Sequence, residues 1–194
     1  LRRKLLQKKL LLKKLLRKPL RSNYLRLQQQ IELSPGFIPG LFYFTDIYIM
    51  DNSAIADNFS LLAKLMDIHG ENSFKTKSYS SAAFAIEKLP AELSSIAEDK
   101  IFSIKGIGEA IGKKIIEQLH TGELSLLNEY ISKTPPGILE MLAIKGIGPK
   151  KISVIWKELE VESLGELLYA CNENRLLLYK GFGEKTQQNI KEAI

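Results

Sequence analysis

"FSIKGIGEAIGKKIIEQL" at residues 102–119 sets Gly106 and Gly108 two apart, after an apolar run and before a helical pattern. The same spelling returns as "LAIKGIGPKKISVIWKEL" at 142–159 and "LLYKGFGEKTQQNIKEAI" at 177–194, so the glycine pairs recur after 40 and then 35 residues. Self-similarity at such a period marks a repeated supersecondary unit. Each pair is followed by a residue suited to the first turn of a helix: Glu109, Pro149 or Glu184. Upstream, short helices are expected at roughly 91–98, at 136–143 after Pro135-Pro136, and at 163–171 with a further turn before Lys180. Ser163 and Glu166 have the spacing of a capping box. The unit is helix, tight hairpin, helix, three times over, and the fold class it predicts is all-α.

The chemistry implied by this spelling is close approach of backbone to an anion. Glycines on both sides of one apolar residue are expected to permit backbone angles that a side chain forbids, while Ile107, Ile147 or Phe182 plugs the turn into the core. Successive N–H groups and the following helix N-terminus then face outward. Lys105, Lys113, Lys145, Lys150, Lys151, Lys180 and Lys185 stand near enough in sequence to add charge-assisted bonds to phosphate oxygens. With Gly106, Ile107, Gly108, Gly146, Ile147, Gly148, Gly181 and Gly183 they form the expected DNA-backbone-binding set, which reads no base. A lone Gly-x-Gly would more often be a helix C-cap and nothing more. Three in register, each beside a lysine, point to phosphate. The third, "EKTQQNI", has the fewest cations and is the weakest expected binder, with packing as its alternative role.

Charge supports this reading only locally. The 194 residues carry a formal +6, but residues 1–49 hold eleven Lys/Arg against Glu32 and Asp46, which leaves 17 basic against 20 acidic side chains in 50–194. Bulk charge in the repeats therefore opposes DNA binding, and placed lysines and amides must supply it. The leader opens with leucines at 1, 5, 6, 10, 11, 12, 15 and 16 among lysines and arginines, ending at Pro19. It reads either as a basic amphipathic helix, the one part suited to an anionic membrane, or as sequence outside any domain, which is the expectation adopted. No uncharged apolar run of membrane-spanning length occurs. The single Cys171 excludes an internal disulfide, fits a reducing cytoplasm and is expected in the core. With only His69 and His120 beside it, a zinc site of the usual kind is not expected.

Between the leader and the repeats, "DNSAIADNFSLLAKLMDI" at 51–68 places Ile55, Phe59, Leu62, Leu65 and Met66 on one helical face. After His69-Gly70, Tyr79, Ala82, Ala83 and Ile86 suit a second helix that stops near Pro90, and the small residues at 80–83 predict close helix approach. Here a resemblance becomes specific. "GENSFKTKSYSSAAFAIEKLP", "IFSIKGIGEAIGKKIIEQLHTGEL", "PPGILEMLAIKGIGPKKISVIWKEL" and "LYKGFGEKTQQNI" together resemble the amino-terminal half of bacterial family X DNA polymerases across residues 50–194.

That resemblance implies a lyase-like helical domain with the first helix-hairpin-helix motif at 50–122, then a fingers-like region with two further motifs at 123–194. It implies base-excision repair as the setting, gapped, nicked or duplex DNA as partner, and a bacterial cytoplasmic, nucleoid-associated location. It places a Schiff-base lysine of 5′-deoxyribose-phosphate lyase chemistry at Lys114, helped by Lys113, and 5′-phosphate contacts at Lys75 and Tyr79. Phe74 and Ala110 depart from the histidine and lysine that some relatives carry there. A monovalent cation at the hairpins is an allowed ligand, and magnesium only with a polymerase part. The aspartates at 46, 51, 57, 67 and 99 make no Asp-x-Asp pair, so neither polymerase nor nuclease chemistry is expected from these residues. The chain reads as a fragment of a longer polymerase or a stand-alone remnant. The competing classes are a true lyase and a helical protein-interaction scaffold, and the residues do not fix an oligomeric state.

Overall fold

The computed structural model describes residues 50–194; the basic leader at 1–49 and the readings attached to it lie outside the described residues. The described chain is all helical, with no strand among these residues. Helix α1 (Asn52–His69) starts where the Asp51 carboxylate accepts the Ala54 N–H at 2.7 Å, and stops at Gly70, whose φ of 82° is left-handed. Its expected stripe is fully buried: Ile55, Phe59, Leu62, Leu65 and Met66. Helix α2 (Ser73–Glu87) turns back on α1 and buries Tyr79, Ala82, Ala83 and Ile86, the four residues expected to face it. Ala82 and Ala83 let the two helices approach, and the Tyr79 ring stacks on Phe59 with centroids 5.7 Å apart.

The expected helix at 91–98 does not form. A single 3-10 turn (Leu93–Ser95) and a four-residue helix α3 (Glu98–Ile101) take its place. The cause is a long-range clamp. The Asn52 amide donates to the Ala91 carbonyl at 2.9 Å and accepts the Leu93 N–H at 2.8 Å, while the Glu92 carboxylate accepts the Asn52 N–H at 2.9 Å. Those bonds hold residue 92 extended at the head of α1, where a helix would withdraw the groups that Asn52 satisfies.

The repeats follow as α4 (Glu109–Thr121), α5 (Ser125–Lys133), α6 (Pro136–Met141), α7 (Pro149–Lys157), α8 (Leu164–Asn172), a 3-10 turn (Arg175–Leu178) and α9 (Glu184–Ala193). The capping box at Ser163 and Glu166 forms with both of its bonds, and the further turn before Lys180 is that 3-10 turn. Cys171 is buried in the core. No helix among the described residues is long and apolar enough to cross a membrane.

Helix α1 is the shared element, since α2, α5 and α7 all pack on it. Its last residue, His69, closes that junction. The Thr134 hydroxyl donates to the Tyr130 carbonyl at 2.7 Å, so its oxygen accepts from the imidazole Nε2–H at 2.9 Å, which makes Nε2 the protonated nitrogen of a neutral ring. The ring stands edge-on to Tyr130 and Trp156, with centroids at 5.3 and 5.1 Å. Burial, then the Lys157 and Lys133 ammoniums, hold its pKa below the ordinary 6.5, against the raising effect of Glu71. Well above pH 6.5 the ring is neutral in folded and unfolded chains alike, and the shift contributes nothing. As pH falls through 6.5 the unfolded chain binds the proton first, so stability is lost until pH drops below the folded value. Thermal melts from pH 7.5 to 5 are therefore expected to fall less steeply in His69→Gln than in the native chain; parallel slopes would remove His69 as the cause.

Candidate nucleic-acid interface

The three hairpins share one backbone. The first glycine of each is left-handed, with φ of 91° at Gly106, 92° at Gly146 and 94° at Gly181, a region costly for any residue with a Cβ. The residues between the glycines are buried plugs: Ile107, Ile147 and Phe182. The second glycines correct the expectation for them, because their backbone is ordinary. Gly108, Gly148 and Gly183 are extended, with φ of −82°, −95° and −114°, and serve as the N-caps of α4, α7 and α9. What glycine supplies there is absence. A Cβ at any of the three would meet nothing within 4 Å, so the space in front of each cap is open.

None of these caps offers a side chain to the helix behind it. The Gly108, Gly148 and Gly183 carbonyls accept the first helical bonds, from Gly112, Ile152 and Gln187 at 2.8 to 3.0 Å. The earlier N–H groups of each first turn have no helical acceptor and carry the positive end of the helix dipole. Pro149 removes one donor from α7, leaving Lys150 and Lys151. The result is a bare, positively polarised ledge into which an oxyanion can move without meeting a side chain.

The predicted lysines divide by their partners. Lys105, Lys145 and Lys180, each just before a left-handed glycine, are exposed, as are Lys150 and Lys185. Lys113 is exposed but paired to Glu109 at 2.6 Å. Lys151 turns inward: its Nζ lies 3.3 Å from both the Gly146 carbonyl and the Thr186 hydroxyl, and 5.7 Å from the Phe182 ring centroid. It braces the second hairpin to the third and places an ammonium on a hairpin carbonyl. The Asn189 amide lies beside it, its nitrogen 3.6 Å from where a Cβ on Gly146 would stand. Thr186 and Asn189 carry no motif signal and were not predicted. The second and third hairpins thus form a pair, while the first lies on α2, with Ala85 3.6 Å from the Cβ position of Gly106.

The residues expected to handle a 5′ end sit in different settings. Lys114 is partly buried, and its ammonium pairs with Glu117 at 2.7 Å. Glu117 also accepts the Ser125 N–H at 2.9 Å and the Ser125 hydroxyl; burial raises its pKa, but these bonds and Lys114 outweigh it and leave the carboxyl below its usual range. The charged partner of Lys114 is therefore a carboxylate, and Lys113 points away to Glu109. Lys75 is exposed and pairs with Glu71 at 3.3 Å, and Glu71 in turn accepts the Tyr130 hydroxyl at 2.5 Å. Tyr79 lies one turn further along α2 with its ring in the core. Among the described residues no three His, Cys, Asp or Glu side chains gather as a metal site.

Comparison with known proteins agrees with this geometry. The helix-hairpin-helix domain family matches residues 50–124, and the SAM-like helix-hairpin-helix tandem family matches residues 138–194. The DNA polymerase/3'-5' exonuclease PolX of Bacillus subtilis is 32% identical over 133 residues. The match takes in 69% of this chain and 23% of that protein, so the chain spans about a quarter of the relative's length. Residues 50–194 are an array of helix-hairpin-helix units, and the chain that carries it is a relative of the family X DNA polymerases.

Proposed function

We propose that this array holds DNA by its sugar-phosphate backbone, without reading bases, and positions gapped or 5′-phosphorylated ends for repair. The observation that carries the reading is the thrice-repeated ledge, in which an extended glycine cap faces open space and a bare helix N-terminus lies behind it. Residues 50–122 are one binding unit in this reading and 123–194 the second. Exposed Lys105, Lys145, Lys150, Lys180 and Lys185 supply the charge that the acidic balance of 50–194 withholds. The Lys151 brace makes the third hairpin a support for the second as well as a contact in its own right.

The test is fluorescence anisotropy of the full chain on intact, nicked and one-nucleotide-gapped duplexes, with and without a 5′-phosphate, across a salt series. Backbone binding through three ledges predicts log affinity falling with log salt at a slope of about −3. It also predicts indifference to base sequence and tighter binding of the phosphorylated gap. Salt-independent or sequence-selective binding would overturn the reading, and no binding at low salt would leave the helices as a protein scaffold.

Lyase chemistry at Lys114 is a separate activity on the same framework. It requires the Glu117 pair to open, because the attacking nitrogen must be an unprotonated amine. Borohydride trapping on an incised abasic site is its test, and trapping undiminished in Lys114→Ala rejects it.

A further inference from the structure

The three hairpins share a backbone and differ in charge. The first residue of the helix behind each is Glu109, Pro149 or Glu184, and the residue one turn further on the same face is Lys113, Ser153 or Gln188. In the first repeat these two form an ion pair, the Lys113 Nζ 2.6 Å from a Glu109 carboxylate oxygen with both side chains exposed. In the others they do not: Ser153 donates to the Ile68 carbonyl at 2.8 Å, and Gln188 to the Glu192 carboxylate at 2.9 Å. The hydrogen bond from Lys113 and its charge hold the Glu109 carboxyl below its usual range, so it is a carboxylate at neutral pH. The next lysine of the same helix, Lys114, is paired too, with Glu117 at 2.7 Å. The second hairpin has the opposite balance. Lys145 and Lys150 are exposed, Lys151 rests on the Gly146 carbonyl, and the first turn of α7 holds no acid.

We propose that Glu109 masks the first hairpin: its carboxylate competes with DNA phosphate for Lys113, so the first hairpin is a releasable contact and the second is the firm hold. A carboxylate at the positive end of α4 occupies the ammonium that a phosphate would use and repels phosphate oxygens. Phosphate reaching Lys113 must displace Glu109, and exchange of one exposed anion for another leaves little net gain. No such exchange is needed at the second hairpin, where Lys145 and Lys150 meet phosphate from water. The contact at the first unit can then open and close while the second stays engaged, so one stretch of DNA is exchanged without dissociation of the whole. The inference rests on the backbone-binding reading of the hairpins and adds a ranking among them that their shared backbone does not create.

The experiment compares the full chain with Glu109→Gln, with the double variant Glu109→Gln/Lys113→Gln and with Glu129→Gln, by anisotropy on an intact duplex across a salt series. Glu129→Gln is the control, because it removes the same charge and frees Lys133 from an exposed pair of the same length, 2.6 Å, on α5 outside the hairpins. The substituted side chains are exposed, so melting temperatures are expected within about 2 °C of the native chain. Glu109→Gln is expected to tighten duplex binding about threefold at low salt and to steepen the log–log salt slope by about 1, the signature of one added phosphate contact. The double variant is expected to return to native affinity and slope, and the control to stay within about 1.5-fold of native. No gain in Glu109→Gln, an equal gain in Glu129→Gln, or a gain that survives loss of Lys113 would each overturn the masking. Native chain that binds no duplex would instead reject the hairpin reading on which it rests. Native binding with affinity insensitive to Glu109 would reject the masking alone.

Discussion

Gly148→Asp is expected to make the protein slightly more stable and to cost it most of the DNA affinity of its second hairpin. Gly148 is an extended N-cap with nothing within 4 Å of a Cβ, so aspartate enters without strain or collision. Its carboxylate can accept a first-turn N–H and face the positive helix end, a gain of about 0.5 kcal/mol over glycine. For a chain of this size that raises Tm by roughly 1–2 °C. The same carboxylate fills the ledge and repels phosphate. Loss of charge-assisted bonds worth about 2 kcal/mol corresponds to roughly a thirtyfold weaker complex. Stability and binding should therefore move in opposite directions, which general damage to the fold cannot produce. Gly108→Asp tests the first hairpin in the same way. If both variants bind duplex DNA as tightly as the native chain in anisotropy titrations, the ledges are not the phosphate sites.

The largest loss of stability is expected from Gly137→Ala. A Cβ there would stand 2.2 Å from the Glu162 carbonyl oxygen and 2.7 Å from the Ser163 Cα, both backbone atoms. They cannot swing aside, because the Glu162 and Ser163 N–H groups are tied to the Glu166 carboxylate at 2.8 and 3.1 Å. Relief requires α6 to draw back from the head of α8, against which it packs. An overpacking cost of about 3 kcal/mol, or roughly 10 °C in Tm, is expected by circular dichroism. Gly165→Ala is the control: it lies in the first turn of α8 with open space at its Cβ, and is expected to stabilise by about 0.5 kcal/mol. Equal melting temperatures for the two variants would show that the contact at Gly137 yields without cost.

The contrast between these two glycines shows where sequence reading stops. Gly106, Gly146 and Gly181 are legible because a Gly-x-Gly between two helices asks for a local backbone state, and local states are written in adjacent residues. Gly137 reads only as a weak helix former after two prolines. Its necessity comes from a segment 25 residues away, reached through the packing of α6 on α8. Gly108, Gly148 and Gly183 are different: their dihedrals ask for nothing, and open space in front of them, a property of the surface, is what glycine preserves.

The all-helical architecture, the buried faces of α1 and α2, the three hairpins with their plugs, and the Ser163 cap followed from sequence alone. Each depends on interactions within about a turn of helix, where spacing and residue type suffice. The tertiary structure alone decided that residues 91–97 form a single 3-10 turn between extended residues in place of a helix, because Asn52 reaches them across some forty positions. It also decided that Lys151 braces rather than projects, and that Lys114 faces Glu117 instead of a second cation. Finally, it placed the first hairpin beside α2 and joined the other two through Lys151 and Thr186. The physical reason is common to all of these: a side chain's partner is set by which surfaces meet when helices pack, and helix periodicity says which face is buried without saying against what.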